Sequence, residues 1–191
     1  MDKPMIIGCQ FSIYPMTENF VEVITGAISG LKEAKNLDIE SDDISTMLRG
    51  EAGEVFTAVA DCFLKASAVA GHVVLSVTFS HGCPGEPGEA CCIPAGPSRH
   101  IHAPKSSAKI RPSGVPVAAQ FALYPMGDAD CMPVIYREIE AAKKIVNVTP
   151  KHFCTRLDGD AAAVFRVLQD ALVAATTAAS HVVVTATVSK H

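Results

Sequence analysis

Gln10-Phe11-Ser12-Ile13-Tyr14-Pro15-Met16 returns later in the chain as Gln120-Phe121-Ala122-Leu123-Tyr124-Pro125-Met126. The offset, from 10 to 120, is 110 residues. Further blocks follow in the same order. Ser45-Thr46-Met47-Leu48-Arg49-Gly50-Glu51 answers to Cys154-Thr155-Arg156-Leu157-Asp158-Gly159-Asp160, and Val55-Phe56 answers to Val164-Phe165. His72-Val73-Val74-Leu75-Ser76 answers to His181-Val182-Val183-Val184-Thr185, now at an offset of 109. Ordered blocks at one nearly constant spacing mark an internal duplication, and a repeat of this length is one supersecondary unit used twice. The chain divides as a first repeat over residues 1–85, a Pro/Gly/Cys-rich linker over 86–114 and a second repeat over 115–191.

The order of elements within one unit defines the fold class. Residues 9–14 alternate and are rich in β-formers, which predicts a strand ended by Pro15. Thr17 is placed to cap a helix, with Phe20, Ile24, Ala27, Ile28 and Leu31 at helical spacing on its apolar face. Residues 36–39 form a short strand, Ser41-Asp42-Asp43 a tight turn, and residues 44–49 a third strand that Gly50 breaks. Glu51 and Glu54 suit the positive end of a second helix, whose apolar face carries Val55, Phe56, Val59, Phe63 and Leu64 and which Gly71 caps. Residues 72–80 are the last strand. The second copy repeats this with strands at 117–124, near Val148, at 153–158 and at 182–189, and helices over 128–146 and 160–179. The result is an α+β protein, a tandem duplication of a ferredoxin-like βαββαβ domain with antiparallel sheets.

Alternation assigns the faces. Val73, Leu75, Val77 and Phe79 form one apolar row that belongs under the helices, whereas Val74, Ser76, Thr78 and Ser80 form a small, hydroxylated row on the open side. Phe11 and Ile13 point to the helices, and Gln10, Ser12 and Tyr14 to the open face. That face calls for a cover, from the sister copy or from a second chain, by sheet-to-sheet or sheet-edge pairing within a homodimer.

Composition limits the function classes. Of the 191 residues 49% are hydrophobic and 19% charged, enough apolar material for real cores, and the net charge of −4 does not favour a nucleic-acid partner. No apolar run reaches the roughly 18 residues of a membrane span. Residues 1–8 are too short and too poor in basic residues for a secretory signal, so the expected location is cytoplasmic and the seven cysteines are expected as free thiols.

Several residues could carry chemistry. Thr46 and Thr155 are hydroxyls on an apolar row, between Ile44 and Leu48 and between Phe153 and Leu157. Each either bonds nearby backbone or contacts a ligand between sheet and helices. Arg49 and Asp158 are equivalent but opposite in charge; either both are solvated strand ends, or two pockets bind differently, with Asp158 facing a cation or an amine. Tyr14 and Tyr124 offer a stacking surface and a hydroxyl, or serve only as turn anchors beside proline. Cys83, Cys91, Cys92, His100 and His102 in the linker have poor spacing for a metal, and none is expected. His72 and His181 begin strands, where solvent or a carbonyl satisfies them. No nucleophile elbow, phosphate-cradling loop or zincin pattern is present. A duplicated fold with hydroxyl-lined strands and no nucleophile points to a binding protein, not an enzyme.

The blocks resemble the YkoF family of thiamine/hydroxymethylpyrimidine-binding proteins. The resemblance rests on residues 11–16, Ile44-Ser45-Thr46-Met47-Leu48-Arg49-Gly50, Gly82-Cys83-Pro84-Gly85, residues 120–126 and Leu157-Asp158-Gly159-Asp160-Ala161. It implies tandem ferredoxin-like domains, a homodimer, and one thiamine or pyrimidine site per repeat. It also implies a part in uptake or salvage of the pyrimidine moiety, in association with a thiamine-precursor transport system and without a cofactor. By the same resemblance the ligand borders Ser12, Ile13 and Thr46 in the first repeat, and Ala122, Leu123 and Thr155 in the second. Tyr14, Arg49, Tyr124 and Asp158 complete the candidate set. Ala122 lacks the hydroxyl of Ser12, which sets the two sites apart. Two alternatives stand beside this one: an ACT-like regulatory module that binds amino acids, and a small dimeric α+β monooxygenase using Tyr14 or His72.

Overall fold

A computed structural model describes residues 5–82, 110–126 and 131–191. The first repeat runs β1 (Ile6–Pro15), α1 (Phe20–Ile28), a 3-10 turn (Ser29–Glu33), β2 (Asp38–Ser41), β3 (Thr46–Glu51), α2 (Ala52–Val69) and β4 (Val73–His81). The second runs β5 (Pro116–Met126), α3 (Met132–Ala142), β6 (Asn147–Pro150), β7 (Thr155–Asp160), α4 (Ala161–Ala175) and β8 (His181–Lys190). Both are antiparallel βαββαβ units, as the alternation and helical spacing predict.

The repeats do not cover one another. They join edge to edge into one eight-stranded sheet of order β2-β3-β1-β4-β8-β5-β7-β6. The seam is the antiparallel pair β4–β8, with Val77 opposite Ala186 near its middle. Of the two covers expected for the open face, the sister copy is therefore not one: it extends that face. Neither seam strand carries a charge or a proline over residues 73–80 and 182–189, the devices that protect a free edge. The outer strands do: β2 has Asp38 and Glu40, and β6 has Pro150.

The core follows the predicted rows. Val73, Leu75, Val77 and Phe79 are buried, as are Val182, Val184, Ala186 and Val188. Phe79 stacks on Phe56 of α2 with ring centroids 3.9 Å apart. Across the seam α2 meets α4, with Phe63 and Phe165 at 6.0 Å. Lys190, at the end of β8, donates from Nζ to the Ser67 and Ala70 carbonyls at 2.8 and 3.1 Å, so the second repeat caps the α2 C-terminus of the first. Gly82 leaves β4 with φ of 77°, tight against the Ser180 carbonyl, where a side chain would collide.

Local details differ from the sequence reading. Asn19, not Thr17, precedes α1, and the Thr17 hydroxyl bonds Asn19 Oδ1 at 2.6 Å. Phe20, the first residue of α1, is half-exposed rather than part of its buried face. Gly50 does not break the third strand; it lies within β3 opposite Ile7, where a Cβ would strike Leu37. The α2 C-cap is Ala70 at φ −99°, so Gly71 is not the left-handed cap. Glu51 caps α2 by accepting from the Glu54 N–H at 3.2 Å, and Asp160 caps α4 by accepting from Ala162 at 2.9 Å. Ile44 and Phe153 stand in the turns before β3 and β7, so Thr46 and Thr155 open their strands instead of lying between two apolar neighbours. The linker cysteines and histidines, Cys83 to His102, lie outside the described residues.

Candidate functional site

In each repeat the third strand stops short of the first. β3 ends opposite Phe11, at the Phe11–Thr46 pair, while β1 continues through residues 12–15. Successive residues of a strand turn their N–H and C=O groups to alternate sides, so alternate groups in this stretch face the gap that β3 leaves. β4 pairs residues 12–15 along the other side.

The turn between β2 and β3 closes the gap from the outside. The Asp42 N–H donates to the Ser45 carbonyl at 3.0 Å. Asp42 Oδ1 accepts from the Ile44 and Ser45 N–H groups at 2.8 and 2.7 Å. Those Ser45 and Ile44 donors hold the Asp42 carboxyl below the usual carboxylate range, so it is ionised at neutral pH. Ser12 Oγ donates to the Ile44 carbonyl at 2.8 Å and ties the tip to β1. Thr46 is 5% exposed, with its hydroxyl 3.0 Å from Ser41 Oγ. The partner of this buried hydroxyl is thus a side chain, not the backbone.

Between this turn, β1 and α1 lies a cavity of about 110 Å³. It brings together Ser12, Ile13 and Thr46, three residues singled out from the sequence, with Ile24 and Ile28 of α1 and the turn residues from Ser41 to Ser45. The turn and α1 contributions were missed in the sequence. Asp42 followed two and three residues later by free N–H groups is the pattern of an Asx turn, and it was a legible signal.

The second repeat copies the frame and changes the turn. β7 ends opposite Phe121, at the Phe121–Thr155 pair, and β5 continues to Met126. Lys151 N–H donates to the Cys154 carbonyl at 3.1 Å, the counterpart of the Asp42–Ser45 bond. Leu123 and Thr155 are buried, Thr155 at 7% exposure. Lys151 stands where Asp42 stands, so no carboxylate gathers the tip N–H groups. Phe153 instead takes φ of 69°, with its ring fully exposed. A bulky residue in the left-handed region is a strained position. His152 places a second ring 6.3 Å from it.

The remaining candidates lie on the open face. Tyr14 and Tyr124 are about half-exposed there, at 47% and 48%. Arg49 sits opposite Gly8 and Asp38. Asp158 is held by its neighbour across the strand repeat: Arg156 Nη2 donates to Oδ1 at 2.6 Å and Nε to Oδ2 at 2.8 Å. The Arg156 guanidinium lowers the Asp158 carboxyl, so the cation that faces Asp158 is internal. Tyr14, Arg49, Tyr124 and Asp158 do not join the cavity of Ser12, Ile13 and Thr46.

Other polar groups serve the frame. Burial acts to raise the Asp160 carboxyl, but hydrogen bonds from Ser113, Ala162 and Gly114 outweigh it and leave the group below its usual range. Glu138 of α3 is buried against α4, and burial raises its carboxyl even though Arg137 Nε donates to it at 2.6 Å. Burial lowers His181, whose Nε2 lies 3.4 Å from Ser80 Oγ. Cys9 and Cys62 are unpaired and buried, and burial pushes the Cys62 thiol up to about 12. Among the described residues no group of three or more His, Cys, Asp or Glu is arranged to hold a metal, and no helix is long and apolar enough to cross a membrane.

Two antiparallel ferredoxin-like repeats share one sheet, and in each the first strand outruns the third. The profile of the YKOF-related family matches residues 6–86 and 116–191, and the chain belongs to that family. It is 34% identical over 185 residues to a Bacillus subtilis (strain 168) protein provisionally named HMP/thiamine-binding protein YkoF, where HMP is hydroxymethylpyrimidine. That match covers 96% of this chain and 90% of the relative. Among solved structures, a domain of unknown function, DUF77, from Bacillus cereus matches with a TM-score of 0.37 and 22% identity, over 40% of this chain and 75% of that one.

Proposed function

We propose that this chain binds thiamine or its hydroxymethylpyrimidine part, one molecule per repeat, and carries out no reaction on it. The observation that carries the reading is the slot where Ser12, Ile13 and Thr46 meet. Its volume of about 110 Å³ compares with the roughly 150 Å³ cavity known to take up benzene. The slot is the smaller of the two, so it takes only the edge of the substituted pyrimidine, and the rest of the ligand lies outside it. The aminopyrimidine edge carries donors and acceptors, and the backbone of Ile13, just past the last β1–β3 pair, offers complementary groups. Ile13, Ile24 and Ile28 supply apolar walls. The thiazolium then lies at the mouth beside ionised Asp42, a favourable place for a cation. The second repeat offers Leu123 and Thr155 in the same frame.

A supporting part in uptake or salvage of the pyrimidine follows from a binder that does not consume its ligand, with a transport system as its partner. The eight-stranded open face is what a second copy of the chain would cover in a homodimer. The amino-acid alternative draws support from one other feature, a cavity of about 410 Å³ between α2 and residues 30–37. Its rim carries charges of both signs, Lys35, Lys65 and Asp61, which suit a zwitterion.

Calorimetric titration with hydroxymethylpyrimidine and thiamine, set beside a thermal-shift panel of amino acids, separates the readings. Saturable heat with the pyrimidines and no shift with amino acids supports pyrimidine binding. No heat at millimolar ligand, or a shift with amino acids alone, overturns it.

A further inference from the structure

The two turns that close the slots occupy the same register and carry opposite charge. Ser41 pairs with Thr46 and Pro150 with Thr155, and the closing bonds Asp42 to Ser45 and Lys151 to Cys154 correspond. The solvent-facing residues of the two turns are therefore aligned one to one. Asp42 answers to Lys151, and Asp43 to His152. Both aspartates line the first cavity, and the equivalent lysine and histidine stand exposed on the second turn.

Building on the pyrimidine reading above, we propose that the two repeats select opposite charge forms of the same heterocycle. The first repeat takes the cationic, unphosphorylated ligand, and the second takes a phosphate ester of the hydroxymethylpyrimidine. The ring, its edge seated in the slot, is common to both. The substituent on its methylene carbon reaches the mouth: a thiazolium in thiamine, a phosphate in the ester. At the first mouth two carboxylates attract the thiazolium and repel a phosphate. At the second the Lys151 ammonium attracts the phosphate and the His152 ring N–H is a further donor. Asp158, whose charge is felt by Lys151, is already neutralised by Arg156. Like charges set at a binding mouth exclude the wrong partner as much as opposite charges attract the right one. A duplicated binder that retained one frame and inverted one turn would thus hold two charge forms of one pyrimidine, a cation and an anion.

The test uses the full chain, with Asp43→Lys and Lys151→Glu as variants. Both positions are exposed and neither side chain braces its turn. Three probes are titrated calorimetrically: neutral hydroxymethylpyrimidine, thiamine and hydroxymethylpyrimidine phosphate. Reversing one exposed charge near a charged ligand changes affinity by about three- to tenfold at low salt, and the effect fades near 1 M salt. Lys151→Glu is expected to weaken the phosphate ester by that factor while leaving thiamine unchanged. Asp43→Lys is expected to weaken thiamine and leave the ester unchanged or tighter. Neutral hydroxymethylpyrimidine is the reference in each protein, and the selective effect is the change for a charged ligand beyond any change for the neutral one. If Lys151→Glu weakens both charged ligands equally, or neither, the charge-selection proposal falls while pyrimidine binding stands. If the unmodified chain binds none of the probes, both fall.

Discussion

Phe153 is the most strained residue named in the structure, and relieving it gives a quantitative expectation. Its φ of 69° lies in the left-handed region, and its ring is fully exposed. Holding an L-residue there costs about 1–2 kcal/mol. Because the ring covers nothing, Phe153→Gly removes that cost and loses no burial. Glycine adds about 0.5–1 kcal/mol of chain entropy to the unfolded state. The net expectation lies between no change and a stabilisation of about 1.5 kcal/mol. Asparagine tolerates the left-handed region without the full glycine entropy, so Phe153→Asn should gain about 1 kcal/mol. In a chain of this length 1 kcal/mol moves Tm by about 2–4 °C. The shared sheet couples both repeats, so urea or thermal unfolding should report one transition for the whole chain. If Phe153→Gly instead lowers stability by about 1 kcal/mol or more, on the scale of a buried side chain lost, then the ring makes a contact that contradicts its exposure, and the turn geometry argued above is wrong.

Three further outcomes follow from named contacts. Asp160→Ala removes the α4 cap and the acceptor for Ser113 and Gly114, and should cost about 1–2 kcal/mol in denaturant unfolding. The lowered Asp160 carboxyl stabilises the folded chain above its unfolded pKa, so the gap between variant and parent should close as pH falls below about 4. Glu138 behaves in the opposite sense. Its raised carboxyl opposes folding when ionised, so Glu138→Gln should match or exceed the parent in stability at pH 7, and the difference should shrink as pH falls toward 4; an advantage that grows on acidification would refute the assignment. Thr46→Val leaves Ser41 without its partner in the first slot and should weaken the first site more than the second, with equal loss at both sites counting against two separate slots.

Much of the fold was legible because the duplication made each strand visible twice. The rows Val73, Leu75, Val77, Phe79 and Val182, Val184, Ala186, Val188 could be assigned to the helix side by alternation alone. The seam was not foreseen, because alternation speaks of faces and is silent on edges. The edge signal was present nonetheless, in two long stretches, 73–80 and 182–189, without charge or proline. Helix ends were the least legible: Thr17 has the composition of a cap, but the chain turns again at Asn19 before α1 begins. In the site, Ser12, Ile13 and Thr46 were readable as strand positions, whereas Ile24, Ile28 and the 41–45 turn enter only through tertiary proximity. The Arg49/Asp158 contrast drew attention in the sequence because it inverts charge. The structure offers a second inversion nearer the slots, Asp42-Asp43 against Lys151-His152, which the block comparison passed over because those residues lie just outside the matching segments.

Pyrimidine binding turns on where the ring sits. A crystal of the full chain soaked with hydroxymethylpyrimidine tests it directly. Density is predicted in the gap between residues 12–15 of β1 and the 41–46 turn, within hydrogen-bond reach of the β1 backbone and bordered by Thr46. Density confined to the open face beside Tyr14, or to the cavity under α2 near Lys65, would contradict it.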